Sequence, residues 1–322
     1  MALLEVKNLV MYFQTKDGPV HAVDDVSFSL EKGQVLGLAG ESGSGKSSIA
    51  LSLLGLLPNN GKVLHGSVEL DGQDLTRMSE SDLRKNVRWK RISMIMQAAM
   101  NSLDPVFRIG DQIKEAIKAH SDISDVVATS IVKTLLEEVG ISHTRYSSFP
   151  HELSGGMKQR AIIAMSLALD PEILIADEPT TALDVIVQAQ ILVLMRGLQK
   201  SKNLSMILIT HDLSLVAEMS DAVGIIYAGQ IVEYGRSSAV FHNPRHPYTV
   251  GLLKAFPNIE AKKTRLSSVP GSPPDLVRLP MGCRFAARCS YATSKCNAMP
   301  TLEEVDPGHF SRCWYAKEIQ SD

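Results

Sequence analysis

Gly40-Glu41-Ser42-Gly43-Ser44-Gly45-Lys46-Ser47 fits the spacing G-x-x-x-x-G-K-[ST], and its neighbours supply the context that this spacing needs. Before it, Gln34-Val35-Leu36-Gly37-Leu38-Ala39 is a short apolar run, the pattern of a buried strand. After it, Ser48-Ile49-Ala50-Leu51-Ser52-Leu53-Leu54 reads as the first turns of a helix. Glycines let such a loop wrap closely around an anion, and the amide N–H groups of loop and helix start point at phosphate oxygens. Lys46 is expected to reach the β- and γ-phosphates of a nucleotide, and the Ser47 hydroxyl to ligate Mg2+.

Bulk properties narrow the setting. The chain has 322 residues, 44% hydrophobic and 21% charged, with a formal net charge of −2. That balance argues against a nucleic-acid binder working through bulk positive charge. No apolar run approaches the ~18 residues that span a bilayer. The N-terminus, Met1-Ala2-Leu3-Leu4-Glu5-Val6-Lys7, alternates like a strand and lacks the layout of a signal peptide. A cytosolic protein is expected, one that reaches a membrane only by docking onto something that spans it.

Along the chain, Leu4–Leu9 and Ala22–Phe28 alternate as antiparallel strands joined by a turn at Lys16-Asp17-Gly18-Pro19. Tyr12 and Phe13 end the first of them and offer flat faces for adenine, Phe13 ahead of Tyr12. Glu69–Leu75 reads as a hairpin with an Asp-Gly turn. Ile92–Met96 is a further apolar run, and it delivers Gln97, which in a nucleotide site can reach the metal or the attacking water. Ile109–His120 and Val126–Val139 have helical periodicity, with Gly140 as C-cap, so residues from about 98 to 168 read as a helical insertion.

Leu153-Ser154-Gly155-Gly156-Met157 then opens an apolar helix, Ala161 to Leu169. Ser154 is its expected N-cap, and Gly155-Gly156 leave the helix start open to an anion. Ile173-Leu174-Ile175-Ala176-Asp177-Glu178 is a buried strand that ends in two carboxylates. Asp177 is expected to hold Mg2+ through water, and Glu178 to polarise the nucleophilic water. Ala182-Leu183-Asp184 follows, and the strand Ser205–Thr210 ends at His211, which can contact the γ-phosphate.

These motifs, in this order, resemble the ATP-binding-cassette (ABC) ATPase family over about residues 1 to 240. The resemblance identifies Gly40–Ser47 as Walker A, Gln97 as the Q-loop, Leu153–Met157 as the signature and Ile173–Asp177 as Walker B. It likewise makes Glu178 the catalytic base, Ala182–Asp184 the D-loop and His211 the switch histidine. It implies an α/β P-loop NTPase fold, with a RecA-like core, an antiparallel β subdomain and a helical subdomain. It places Gly40, Ser42, Gly43, Gly45, Lys46, Ser47 and Ser48 around the phosphates, and Ser47, Gln97 and Asp177 around Mg2+. Two cassettes are expected to close head to tail, so that Ser154, Gly155 and Gly156 complete a partner's ATP site.

A second resemblance lies further on. Asn243–Thr249, Leu252-Leu253 and the cysteines beyond look like the C-terminal extension of oligopeptide/dipeptide/nickel importer ATPases. Gly55-Leu56-Leu57-Pro58 resembles the first of their two paralogous ATPase subunits. The implied partners are a second, paralogous cassette, two transmembrane permeases and an extracytoplasmic binding protein. The cargo stays open among peptide, nickel and oligosaccharide, since Ala98-Ala99-Met100-Asn101 stands where peptide importers usually carry Asp-Pro after the Q-loop glutamine. The alternative reading is a non-transport ABC ATPase of translation or repair, which usually carries two cassettes or a long coiled coil.

Residues 1–254 are expected to form the cassette and 255–322 the extension, which begins with a linker rich in Pro, Ser and Lys. All four cysteines, Cys283, Cys289, Cys296 and Cys313, lie in that extension. In a reducing compartment such clustering argues for metal over disulfides. The spacing C-x5-C-x6-C-x16-C leaves a zinc, an iron–sulfur cluster and no metal all open, and lacks the tight C-x2-C knuckle of zinc sites. Arg284 and Arg288 are expected near the thiolates, and similar tails in the importer ATPases are associated with a [4Fe–4S] cluster.

Overall fold

The computed structural model describes residues 2–255 and 269–319, so part of the expected linker, 256–268, lies outside the described residues. Contacts divide the chain into two compact units. One comprises Met1–Leu30, Val35–Thr76 and Thr210–Asp322, and the other Glu31–Gln34 and Arg77–Ile209.

The first unit begins with two long strands, β1 (Ala2–Thr15) and β2 (Gly18–Glu31). They join β4 (Gly61–Leu70) and β5 (Gln73–Asp74) in an antiparallel sheet of order β2-β1-β4-β5. The expected Asp-Gly hairpin is present, with Asp71 and Gly72 both at positive φ, as a two-residue turn of the I′ kind requires. Between these strands run β3 (Val35–Ala39), every residue of it buried, and α1 (Lys46–Leu54). Gly55 ends α1 in the left-handed conformation, its N–H returning to Leu51 and Ser52.

In the second unit the chain passes a single turn, α2 (Glu80–Asp82), and reaches β6 (Ile92–Ile95). The helical stretch contains α3 (Ile109–Lys118) and α4 (Asp125–Glu138). Ile109, Ile113 and Ile117 recur every four residues and form the buried face of α3. Ser124 caps α4, and Gly140 follows that helix at positive φ. Helix α5 (Gly155–Ser166) starts at the Ser154 cap and stops three residues before the expected end. The chain must reverse there into β7 (Ile173–Asp177), which Asp170 does at φ 51, and Pro171 disfavours helix in the residue before it. After α6 (Val185–Lys202) comes β8 (Ser205–Thr210). Strand β7 pairs in parallel with both β6 and β8, and β7 and β8 are wholly buried, which explains their unbroken apolar sequences.

The chain then returns to the first unit through α7 (Leu213–Met219), β9 (Ala222–Tyr227), β10 (Gln230–Arg236), α8 (Ser237–His242) and α9 (Pro247–Lys254). Strand β9 lies parallel to β3 and antiparallel to β10. The cysteine-rich extension adds two strands that its sequence does not announce, β11 (Glu303–Asp306) and β12 (His309–Ser311). They continue the sheet in the order β11-β12-β10-β9-β3. Phe285 of the extension is buried in the same apolar cluster as Ala39, Val223, Tyr227 and Tyr248.

One polar contact pins this junction. Glu233 of β10 is fully buried, and its Oε1 lies 2.8 Å from His309 Nε2 of β12 and accepts the Arg245 N–H at 2.6 Å. Removing His309 leaves a fully buried carboxylate short of a hydrogen-bond partner. His309→Ala is therefore expected to destabilise the first unit by about 3 kcal/mol in urea unfolding.

Candidate nucleotide site

Strand β3 ends directly in the glycine loop. Gly40, Gly43 and Gly45 all have positive φ, at 156°, 76° and 106°. A Cβ on Gly40 would lie 2.1 Å from the Ile226 carbonyl oxygen, and one on Gly45 2.1 Å from that of Ala22. Gly43 meets nothing within 4 Å. The loop is thus pressed against backbone on two sides and open at its tip. Lys46 is buried at the start of α1, and its ammonium donates to the carbonyls of Gly40 at 2.8 Å and Glu41 at 2.9 Å. Ser47 and Ser48 stand beside it in the first turn of α1, which no side chain caps, so that turn offers its backbone donors to an anion.

Phe13 is half-buried in β1 opposite Gly61, whose added Cβ would meet its ring at 3.0 Å. Tyr12 is committed internally, its ring 3.9 Å from that of His21 and its hydroxyl donating to Asp24 at 3.3 Å. That favours Phe13 over Tyr12 as an adenine platform. His211 is exposed just before Asp212, which caps α7 by accepting from Ser214 and Leu215.

The second unit holds the other expected site residues. Asp177, 2% exposed, ends β7. Glu178 follows at φ 48°, a strained conformation for a residue with a side chain, and its N–H donates to Ile209 O at 2.8 Å. Its Oε2 accepts from Gln97 Nε2 at 3.3 Å and from Thr181 Oγ1 at 2.9 Å. The fold therefore brings Gln97, 81 residues away in sequence, and Thr181 onto the Glu178 carboxylate. Ser154 Oγ accepts from Met157 N at 3.3 Å and caps α5 as expected. Gly156 has a packing role that the sequence hides, since a Cβ there would lie 2.7 Å from Val187 Cγ1 of α6.

The extension departs from expectation in two ways. Arg284 and Arg288 do not serve the thiols. Arg284 donates to the Ala228 carbonyl and to Asp24, while Arg288 forms two hydrogen bonds of 2.8 Å to the Glu41 carboxylate. Guanidinium forks match carboxylates bidentately, and Glu41 offers Arg288 that geometry. Secondly, among the described residues no group of three or more His, Cys, Asp or Glu is placed to hold a metal ion. Cys283, Cys289, Cys296 and Cys313 line one cavity together with Phe285 and Trp314. Backbone N–H groups of Tyr291 and Tyr315 donate to the sulfurs of Cys289 and Cys313 at 3.3 and 3.4 Å. Burial pushes the thiols of Cys283, Cys289 and Cys313 up, that of Cys313 to about 12.

Sequence reasoning missed Glu41, which occupies a position where the loop pattern accepts any residue, and Tyr248, whose hydroxyl accepts the Glu41 N–H at 3.0 Å. No local signal marks either contact. The glycines make a direct test of the loop geometry. Gly43→Ala is expected to cost only the ~1–2 kcal/mol of a left-handed backbone. Gly45→Ala adds a clash with immovable backbone, so its melting temperature should fall well below that of Gly43→Ala.

A model of the ABC transporter family matches residues 23–181, and one described as the C-terminal region of oligopeptide/dipeptide transporters matches residues 232–296. The chain is 46% identical over 315 residues to an oligopeptide transport ATP-binding protein of Escherichia coli, covering 97% of this chain and 93% of that one. It is 47% identical over 316 residues to a dipeptide transport ATP-binding protein of Lactococcus lactis, covering 97% and 90%. Its fold is similar to that of CbiO1 from Clostridium perfringens, part of an ABC transporter complex, with a TM-score of 0.65 and 26% identity over 75% of this chain and 91% of the other. Among the described residues no helix is long and apolar enough to cross a membrane. Identity at this level along nearly the whole of both chains means that the protein belongs to the ABC transporter family, as an ATP-binding, ATP-hydrolysing subunit of its oligopeptide/dipeptide branch.

Proposed function

We propose that this chain hydrolyses Mg·ATP to power the uptake of oligopeptides or dipeptides through partner permeases. The observation that carries the reading is the full-length similarity to oligopeptide and dipeptide transport ATP-binding proteins, extension included. The cassette would comprise residues 1–254, with its helical part at about 98–168, and the extension residues 255–322.

Each site residue has a role consistent with its surroundings. Lys46 and the amides of Gly40, Ser42, Gly43, Gly45, Ser47 and Ser48 hold the phosphates, and Phe13 stacks on the adenine. Ser47, Gln97 and Asp177 hold Mg2+, which when bound neutralises charge between the β- and γ-phosphates. Glu178 polarises the attacking water, and its strained backbone aims the carboxylate that Gln97 and Thr181 orient. His211 contacts the γ-phosphate. Ser154, Gly155 and Gly156 complete the site of a second, paralogous cassette, and that cassette completes this one.

The assembly would sit on the cytoplasmic face of the membrane, bound to two permease subunits that receive cargo from an extracytoplasmic binding protein. Met96, Val106 and Phe107, 53%, 69% and 56% exposed, give the stretch around the Q-loop an apolar surface suited to a permease. We further assign the four cysteines to a [4Fe–4S] cluster, supported by their shared cavity and the N–H···S contacts.

Glu178→Gln keeps the shape of the side chain and removes its capacity as a base. Hydrolysis is expected to fall by about a hundredfold or more, with ATP still bound; wild-type turnover in this variant would refute the assigned role. Anaerobic purification should give about four irons and four sulfides per chain, with a broad band near 400 nm. One zinc, or no metal, would refute the cluster and leave the ATPase reading intact.

A further inference from the structure

We infer that Arg288 of the extension is a positioning residue for nucleotide binding, acting through Glu41 of the glycine loop. The inference rests on the ATP-binding role given above, and it concerns two residues that role leaves unused.

Glu41 is the first residue after Gly40, inside the loop that must receive polyphosphate. A carboxylate there is electrostatically adverse, since it repels the incoming anion and competes for Lys46. The structure pairs it with a cation. Arg288 grips both carboxylate oxygens, Nη1 to Oε2 and Nη2 to Oε1, each at 2.8 Å. The Arg288 side chain is 5% exposed and that of Glu41 27%, so the pair is partly buried and water screens it less than a surface pair. Its remaining donor capacity is also used. Nε donates to Pro270 O at 2.7 Å, and further contacts reach Val269 O at 3.3 Å and the Tyr227 hydroxyl at 3.3 Å. The guanidinium lies 5.6 Å from the Tyr227 ring centre and 5.9 Å from that of Phe285, so its plane is fixed before it meets Glu41.

The same residue is held from two other directions. Its N–H donates to Tyr248, buried in α9, and its carbonyl accepts Lys46 Nζ at 2.9 Å. Glu41 thus joins three things: the extension, the core of the first unit and the phosphate-binding lysine. With Arg288 in place the loop keeps a neutral rim and a fixed backbone for its amide donors. Without Arg288 the carboxylate is uncompensated, and Lys46 is the nearest cation in the loop left to answer it. The extension is therefore part of the apparatus that prepares the nucleotide loop.

The test uses full-length protein and a fluorescent ATP analogue with Mg2+, with melting temperatures recorded in parallel. Wild-type binding tests the ATP-binding role itself, whereas the ratios between variants test Arg288. Arg288→Ala is expected to raise Kd about tenfold while kcat at saturating ATP stays within about threefold. Adding Glu41→Gln removes the uncompensated charge and should bring Kd back to within about threefold of wild type, although it restores no packing to the extension. A Kd unchanged by Arg288→Ala, or one that Glu41→Gln fails to relieve, would overturn the inference and leave Arg288 as a packing residue. If Arg288→Ala does not fold, Arg288→Lys retains the charge and loses the fork. Its Kd should rise about threefold, and an unchanged Kd there would overturn the inference equally.

Discussion

A loop that receives phosphate must expose its N–H groups on one side while its other side is held rigidly, and backbone crowding at Gly40 and Gly45 meets that requirement here. Both glycines are wedged against carbonyl oxygens, of Ile226 on β9 and Ala22 on β2. The loop's curvature is therefore dictated by strands outside it, one of them, β9, far away in sequence. Strand β9 is held in turn by parallel pairing with β3 and antiparallel pairing with β10, and β10 carries β12 from the extension. A chain of backbone contacts runs from the phosphate loop to the C-terminal strands.

Side chains reinforce that chain at three points, each an arginine of the extension placed on an acid of an early element. Arg288 grips Glu41, Arg284 reaches Asp24, and Arg312 donates to Asp25 at 3.0 Å. The three arginine side chains are each 5% exposed. Hydrogen-bonded pairs in such surroundings gain specificity from geometry, because a misplaced buried charge is costly. Asp24 and Asp25 lie on β2 and Glu41 in the glycine loop, so the extension is keyed both to the loop and to a strand that crowds it.

The second unit places its chemistry differently. There the demand is for carboxylates at the end of a buried strand. The apolar run Ile173–Ala176 delivers them because both faces of β7 are covered. Glu178 then leaves the strand in a left-handed conformation, tethered by the Ile209 carbonyl and by Gln97 and Thr181. Strain of this kind persists only where neighbouring contacts over-determine the backbone. Helix α5 presents Ser154 and its glycines at one end, and Gly156 also admits Val187 of α6 closely. Gly156 meets a packing requirement there, and in the proposed site an anion-binding one as well.

Much of this was legible in the sequence because the signals are local. The apolar runs of β3, β7 and β8, the Asp-Gly turn at residues 71–72, the Ser154 cap and the glycine loop each declare themselves within about ten residues. The set and order of Gln97, Asp177, Glu178 and His211 likewise pointed to nucleotide hydrolysis before any fold was known. Distance along the chain hid the rest. Nothing near residue 288 says that its guanidinium belongs to residue 41, 247 positions earlier, rather than to the adjacent cysteines. Nor does His309-Phe310-Ser311 look like a strand until β10 offers it an edge, or Gly156 look like a packing residue until α6 lies across it. Sequence determined the elements and the chemistry they carry, because propensity, capping and motif spacing act over short range. Tertiary structure alone decided which charges meet, because burial and partner choice exist only once the chain is packed.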